Sequence, residues 1–333
     1  MKHSSTLRAT VACAALGSIA WIGLAAADDG PSAAGGQLPT EVMAAASTFS
    51  AYMEQAAGVN SQFSGGASVA QALKTGASYE PSQFQEGMIG FGALAALQDG
   101  RFVRGIEAAA SQAGDRQALA QRIAADPGLV LQFDGAAEAA GRVQAALHSR
   151  GASVFGTGGQ VKQAAYAIQH KAWSTVTVAD GAARLSDLKA LSSSRRSPSE
   201  SDNARLIQTV AGPAPPAGEP AQVTPVVMHA LALAAEADLG AARDGDLPRL
   251  QPLLAERSTT DCLRIAKLNL YQCMAVAGPQ YEDVFCLGQH ELMDTGQCVT
   301  RAVGEPAPAV ALASPVPAAN PQAERQTLAS VAN

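Results

Sequence analysis

Large anchoring side chains are scarce in this 333-residue chain, where aromatic residues make up 5% of the sequence while 47% is hydrophobic. Ala supplies much of that hydrophobic fraction, so a core has to come from closely approaching Ala-faced helices with few large anchors. Burying Ala gains far less than the roughly 1.5–3 kcal/mol of a larger apolar side chain, so modest stability per residue is expected. Beyond the first 27 residues no segment approaches the roughly 20 uninterrupted apolar residues of a membrane span. No basic cluster exceeds Arg195-Arg196, which argues against a nucleic-acid partner. No C-x2-4-C pair occurs, and structural zinc sites usually draw their thiolates from such pairs.

Residues 1–27 read as a secretory signal. Lys2 and Arg8 supply positive charge, Ala9 to Leu24 is apolar, and Ala25-Ala26-Ala27 offers a small-residue cleavage site before Asp28. Cleavage there removes Cys13 and leaves Cys262, Cys273, Cys286 and Cys298. It also removes two of the 23 basic residues and none of the 29 acidic ones, which leaves a net charge of −8. Arg (17) outnumbers Lys (6), a compositional bias of GC-rich bacterial genomes. The expected destination is therefore an oxidising compartment, periplasm or exterior, where disulfides persist.

The cysteine spacing is C-x10-C-x12-C-x11-C. Leu263, Ile265, Ala266, Leu268 and Leu270 join the first pair in a run without Gly or Pro, and eleven residues at about 100° each leave Cys262 and Cys273 within about 20° of one face. Gly278-Pro279 breaks this helix. A second apolar arm follows through Tyr281, Val284, Phe285, Leu287 and Leu292. Four cysteines allow three pairings. Antiparallel arms favour the nested one, Cys262 with Cys298 and Cys273 with Cys286. Twelve residues from Cys286 put Cys298 about 120° off the starting face, so Cys298 is expected beyond the second helix, with Gly296 turning the chain back. The arrangement resembles the twin cysteine-x9-cysteine helical hairpins of the coiled-coil-helix-coiled-coil-helix family, over the hairpin alone and with spacings other than nine. That resemblance implies the same pairing geometry and no function.

Along the rest of the chain, apolar residues recur at helical spacing. Val42, Ala46, Phe49, Met53 and Ala56 follow a Thr40 cap, and Phe84, Met88, Phe91 and Ala95 follow Pro81. Phe102 to Ala110, Leu119 to Ala124, and Ala136 to Leu147 behind Asp134 predict three further helices. Gly151 to Gly159 holds four glycines and is expected to be a flexible interhelical turn, with a new helix from Val161 to about Ser174. Thr175-Val176-Thr177-Val178 is expected to be a helix end, and Asp180 to cap a last piece through Leu191. The Ser-rich stretch from Ser192 and the Pro-rich stretch to 223 read as linkers around an isolated turn at Ala204–Ala211.

The predicted architecture is all-α: a flexible start over 28–39, an Ala-rich helical bundle over 40–191, and a Ser/Pro-rich linker over 192–223. A helical unit with the four-cysteine hairpin follows over 224–303, then a disordered Pro/Ala-rich tail over 304–333.

Fragments of catalytic motifs occur out of context. Lys74-Thr75-Gly76, Ser186-Asp187-Leu188-Lys189 and Ser201-Asp202-Asn203 spell serine β-lactamase elements in the wrong order, with no sheet to hold them. His290-Glu291-Leu292-Met293-Asp294 lacks the second imidazole of H-E-x-x-H, although Cys286 and His290 stand at i, i+4. Gly156-Thr157-Gly158-Gly159 lacks the spacing of a dinucleotide loop, and no G-x-S-x-G occurs. His148, His170, His229 and His290 are each alone in their segments. Among Glu80, Glu86, Asp99, Asp134 and Glu138 no spacing suggests acid and base roles, and Trp173 reads as a core or interface anchor.

No catalytic residue, metal ligand or cofactor is assigned. The expected function is that of an exported, non-catalytic helical protein with a structural or interaction role toward an envelope protein. The alternatives are an enzyme acting on cell wall or a small polar substrate, with Glu86, His148 or His170 converging, and a small-ligand carrier.

Overall fold

The computed structural model describes residues 36–212 and 222–304. The expected signal and most of the flexible start, the Pro-rich stretch 213–221 and the tail from 305 lie outside them. Among the described residues the architecture is all-α, with no named strand and 13 helices. No helix there is long and apolar enough to cross a membrane.

At the centre lies α3 (Pro81–Ala96), opened by the Glu80 carboxylate, which accepts from the amides of Ser82 and Gln83. Phe84, Met88, Ile89, Phe91, Ala93 and Ala96 are all buried, so beyond its first turn and a half α3 is apolar on most sides and must be surrounded. Its neighbours are α1 (Thr40–Ala57), α9 (Pro225–Asp238) and α6 (Ala136–Ile168). A Cβ at Gly87 would sit 2.2 Å from the Ala45 carbonyl oxygen, so glycine there lets α1 and α3 touch backbone to backbone. Phe49, Tyr52, Tyr79 and Phe84 pack edge-on or tilted across this contact, with centroids 4.7–5.4 Å apart. Residues 36–39 carry no regular secondary structure, and Leu38 is buried. Thr40 does not cap α1; the Asp244 carboxylate reaches in from 204 residues away and accepts from the Thr40 amide at 2.6 Å and its hydroxyl at 3.0 Å.

Around this centre run α2 (Gly66–Ala77), α4 (Gly100–Ala113), α5 (Arg116–Ala125), α7 (Gly181–Ser193), α8 (Glu200–Ala211), α10 (Leu247–Leu254), α11 (Arg257–Val276), α12 (Gln280–Cys286) and α13 (Asp294–Ala302). A π-helical segment, Leu287–Met293, joins α12 to α13 without a break.

Several expectations give way. The four glycines between 151 and 159 do not make a turn; they lie inside α6, which runs unbroken for 33 residues. Gly151 faces Gly296, where a Cβ on Gly296 would lie 2.6 Å from the Gly151 carbonyl oxygen. Gly158 faces Gly288, where a Cβ on Gly288 would lie 2.8 Å from the Gly158 carbonyl oxygen. Glycine is used here for close approach, at the cost of its weak helix propensity. The hairpin is consequently not a separate unit over 224–303, because its second arm is bedded along α6 and α9 of the same region contacts α3. Thr175–Val178 is not a helix end either. Val178 N donates to Gly278 O at 2.9 Å and Gln280 N to Val176 O at 3.3 Å, a short antiparallel bridge holding the hairpin turn.

Nor is 192–212 a linker. The Gln83 side chain donates to the Arg196 carbonyl at 2.6 Å and accepts from its amide at 2.8 Å, so the extended backbone is satisfied without secondary structure. Ser199 and Asp202 then form a capping box that starts α8, and Leu206 is buried as α8 lies on α1.

Gly296→Leu is expected to destabilise the chain by about 2–3 kcal/mol through overpacking against α6. Gly156→Ala, in the same helix but with nothing within 4 Å of the added carbon, is expected to stabilise it by about 0.5–1 kcal/mol. Urea unfolding of both variants checks the pair.

Candidate functional site

Cys262 is bonded to Cys298 and Cys273 to Cys286, with Cα atoms 5.8 and 5.7 Å apart. Cys298 does not lie beyond the second helix and Gly296 does not turn the chain. Cys298 is inside α13, and the phase is corrected upstream. In the Leu287–Met293 segment the hydrogen bonds run from i to i+5, which accommodates one residue more than an α-turn. Twelve residues then advance like eleven α-helical ones, about 20° from three full turns. This matches the eleven-residue spacing of Cys262 and Cys273 on the facing arm, so both bridges close on one seam.

The same segment brings Glu291 into the seam, where its carboxylate lies 2.7 Å from the Lys267 ammonium. Both side chains are almost fully enclosed. The ammonium also lies 3.5 Å from the centroid of the Tyr79 ring. Tyr79 shares a 2.8 Å hydrogen bond with Thr295, and Tyr52 donates to the Gly76 carbonyl at 3.0 Å. Burial pushes Lys267 down to about 8 and Glu291 up, each against the attraction of the other. Burial also raises Tyr52 and Tyr79 well above the usual phenol range. This is an enclosed charged pair, suited to fixing register. Lys267 was readable: Leu263, Ala266, Leu270 and Met274 are its neighbours at i−4, i−1, i+3 and i+7 on the buried face of α11.

At the far end of the hairpin, α11 stops at Val276 and α12 starts after Pro279. Asp283 anchors α12 to α7 through an ion pair with Arg184, and Glu282 accepts from the Gly278 amide at 2.8 Å. The anchored turn leaves apolar groups in solvent: Val276 is 84% exposed, Val176 59% and Tyr166 49%. Tyr166, Val276, Tyr281 and Phe285 border a shallow depression of about 390 Å³ floored by the Cys273–Cys286 bridge. Tyr166 meets Phe285 edge-on at 6.1 Å, and Lys162 sits 5.6 Å above the Phe285 ring while donating to Gln289 at 2.7 Å.

The residues weighed for chemistry in the sequence are dispersed. Glu80 and Asp99 cap α3 and α4, Asp134 and Glu138 pair with Arg101, and Glu86 pairs with Arg195 at 2.7 Å. His148 lies on α6, His170 is exposed beyond it, and Glu86 is on α3. Burial lowers the His229 pKa. His290 Nδ1 lies 3.3 Å from Asp294. The three β-lactamase-like elements fall on α2, α7 and α8. Trp173 packs partly buried against the core. No group of three or more His, Cys, Asp or Glu among the described residues is placed to hold a metal ion.

No protein-family model, curated protein or solved structure matches the chain.

Lys267→Met alone is expected to cost about 3–5 kcal/mol by leaving a buried carboxylate unpaired, and Lys267→Met with Glu291→Met to recover most of that loss. A double-mutant cycle in urea checks it. Asp283 gives a pH dependence of definite sign. Burial raises its pKa to about 7, against the opposing Arg184 charge. The folded state therefore holds a proton that the unfolded chain releases near 4. The resulting stabilisation is complete below about pH 4 and is lost as pH rises through about 7. Between about pH 4.5 and about pH 7.5 the wild type should lose stability relative to Asp283→Asn, measured by denaturation midpoints at both values.

Proposed function

We propose that the chain is an exported, non-catalytic helical protein whose stapled hairpin presents a fixed apolar surface to a protein partner in the cell envelope. The observation that carries this reading is the apolar end of the hairpin. Val276, Val176 and Tyr166 stand in solvent beside the Cys273–Cys286 bridge, while the adjoining turn is pinned by Arg184–Asp283 and by the bridge to Thr175–Val178.

An apolar surface costs less to order when its backbone is already fixed, so more of the gain from its burial by a partner is retained as affinity. Aromatic side chains with few rotatable bonds suit such a contact. The two disulfides accord with an oxidising compartment, and the signal-like first 27 residues supply the route to it. The titratable groups buried in the seam pair with one another, Lys267 with Glu291, which leaves them to hold the hairpin in register.

A photoreactive phenylalanine analogue replacing Val276 in the full chain, expressed in its native host, should yield one predominant protein adduct. The same analogue replacing Leu131, an exposed apolar residue elsewhere, should not yield it. The Val276 adduct should also disappear when Cys273 and Cys286 are both changed to Ser. Identical adduct patterns from the two positions would overturn the reading.

A further inference from the structure

A second surface, away from the hairpin end, has a different chemistry. The groove between α1, α3, α6 and α8 encloses about 640 Å³, within the range of small-molecule sites. Its floor is apolar, made by the buried side chains of Met53 and Phe91 with Ala95, and Val210 of α8 forms part of the far wall. Along α6 the same groove is lined by Arg142 and Arg150.

These two arginines are unusual in their surroundings. Arg205 also lines the groove but is already neutralised, 3.1 Å from Asp202 and 3.8 Å from Glu54. Arg142 and Arg150 belong to no ion pair among the described residues. Arg150 sits over the Phe91 ring, its guanidinium carbon 4.4 Å from the centroid. That cation–π contact holds the guanidinium against the apolar floor of the groove. Desolvation lowers the Arg150 pKa from its ordinary value, the mark of a cation held out of water. With Arg205 paired, and Glu54, the sole acid on the lining, acting on both Arg205 and Arg150, Arg142 and Arg150 leave the groove a surplus of positive charge on a chain of net charge −6.

We infer that this groove binds a small organic anion, with a carboxylate, sulfonate or phosphate held by Arg142 and Arg150 and an apolar body lying on Met53 and Phe91. The inference is independent of the hairpin surface. A guanidinium fork recognises an oxyanion by two parallel hydrogen bonds, and an apolar floor rewards a hydrocarbon body that a bare inorganic ion lacks.

Isothermal titration calorimetry of the full chain with octanoate, octan-1-ol and acetate tests it. Octanoate should bind saturably, and octan-1-ol and acetate at least about tenfold more weakly, because each lacks one half of the recognition. Arg142→Gln with Arg150→Gln should weaken octanoate by at least about tenfold, as two charge-assisted contacts are removed. Thr209→Trp, on the exposed side of α8, should block the groove without touching either arginine or the core, and it decides the matter should the arginine variant fail to fold. Absence of saturable octanoate binding, affinity unchanged in the Thr209→Trp chain or in a folded arginine variant, or equal binding of octan-1-ol would overturn the inference.

Discussion

One surplus residue in a helix organises the C-terminal half of this molecule. The wide turns over Leu287–Met293 set back the helical phase by a single position, and three separate contacts depend on that. Cys298 comes to face Cys262. Glu291 comes to face Lys267. Gly288 and Gly296, eight residues apart, come to face Gly158 and Gly151, which are seven apart on the ordinary α-helix opposite. A regular α-helix through the same sequence would put the second member of each spacing on another face, so the agreement of two independent spacings locates the phase shift.

The forces that hold this seam differ in kind. The bridges act on the unfolded chain, removing on the order of 3 kcal/mol of freedom for a short loop. The glycine contacts act on the folded chain, where backbones approaching this closely gain dispersion along the whole crossing. The Lys267–Glu291 pair adds little net stability, since the desolvation of two charges offsets much of their attraction. Its value lies in register: slipping either helix would leave one charge buried alone. Arg249 and the buried Glu236, 2.9 Å apart, repeat the arrangement between α9 and α10.

Much of the helical order is legible in the sequence because amphipathic spacing survives wherever a helix has one wet face, as in α1 and α11. The losses have definite causes. Glycine in α6 reads as a turn by local propensity, and only the facing glycines of α13 and the π segment explain it. The phase shift itself leaves no mark in composition, though the 120° mismatch of Cys298 was its shadow. The Ser-rich stretch before α8 hid a signal that could have been read, since Ser199 and Asp202 stand at capping-box spacing. Within the candidate sites, the cysteines announce the hairpin, whereas Arg142 and Arg150 acquire meaning only when α1, α3 and α8 close around them. Long-range satisfaction of the Arg196 backbone by Gln83 has no sequence signature at all.

The Cys262–Cys298 bond also changes what the chain is as a mechanical object. Tension applied at its two ends passes through that sulfur link and not around the hairpin, so the 36-residue span between the two positions stays slack. At roughly 3.3–3.6 Å per extended residue, about 120 Å of polypeptide is withheld from any stretching of the whole molecule. The helices ahead of α11 have no such shunt, and a pull would unravel them while the apolar knob beyond Val276 kept its shape.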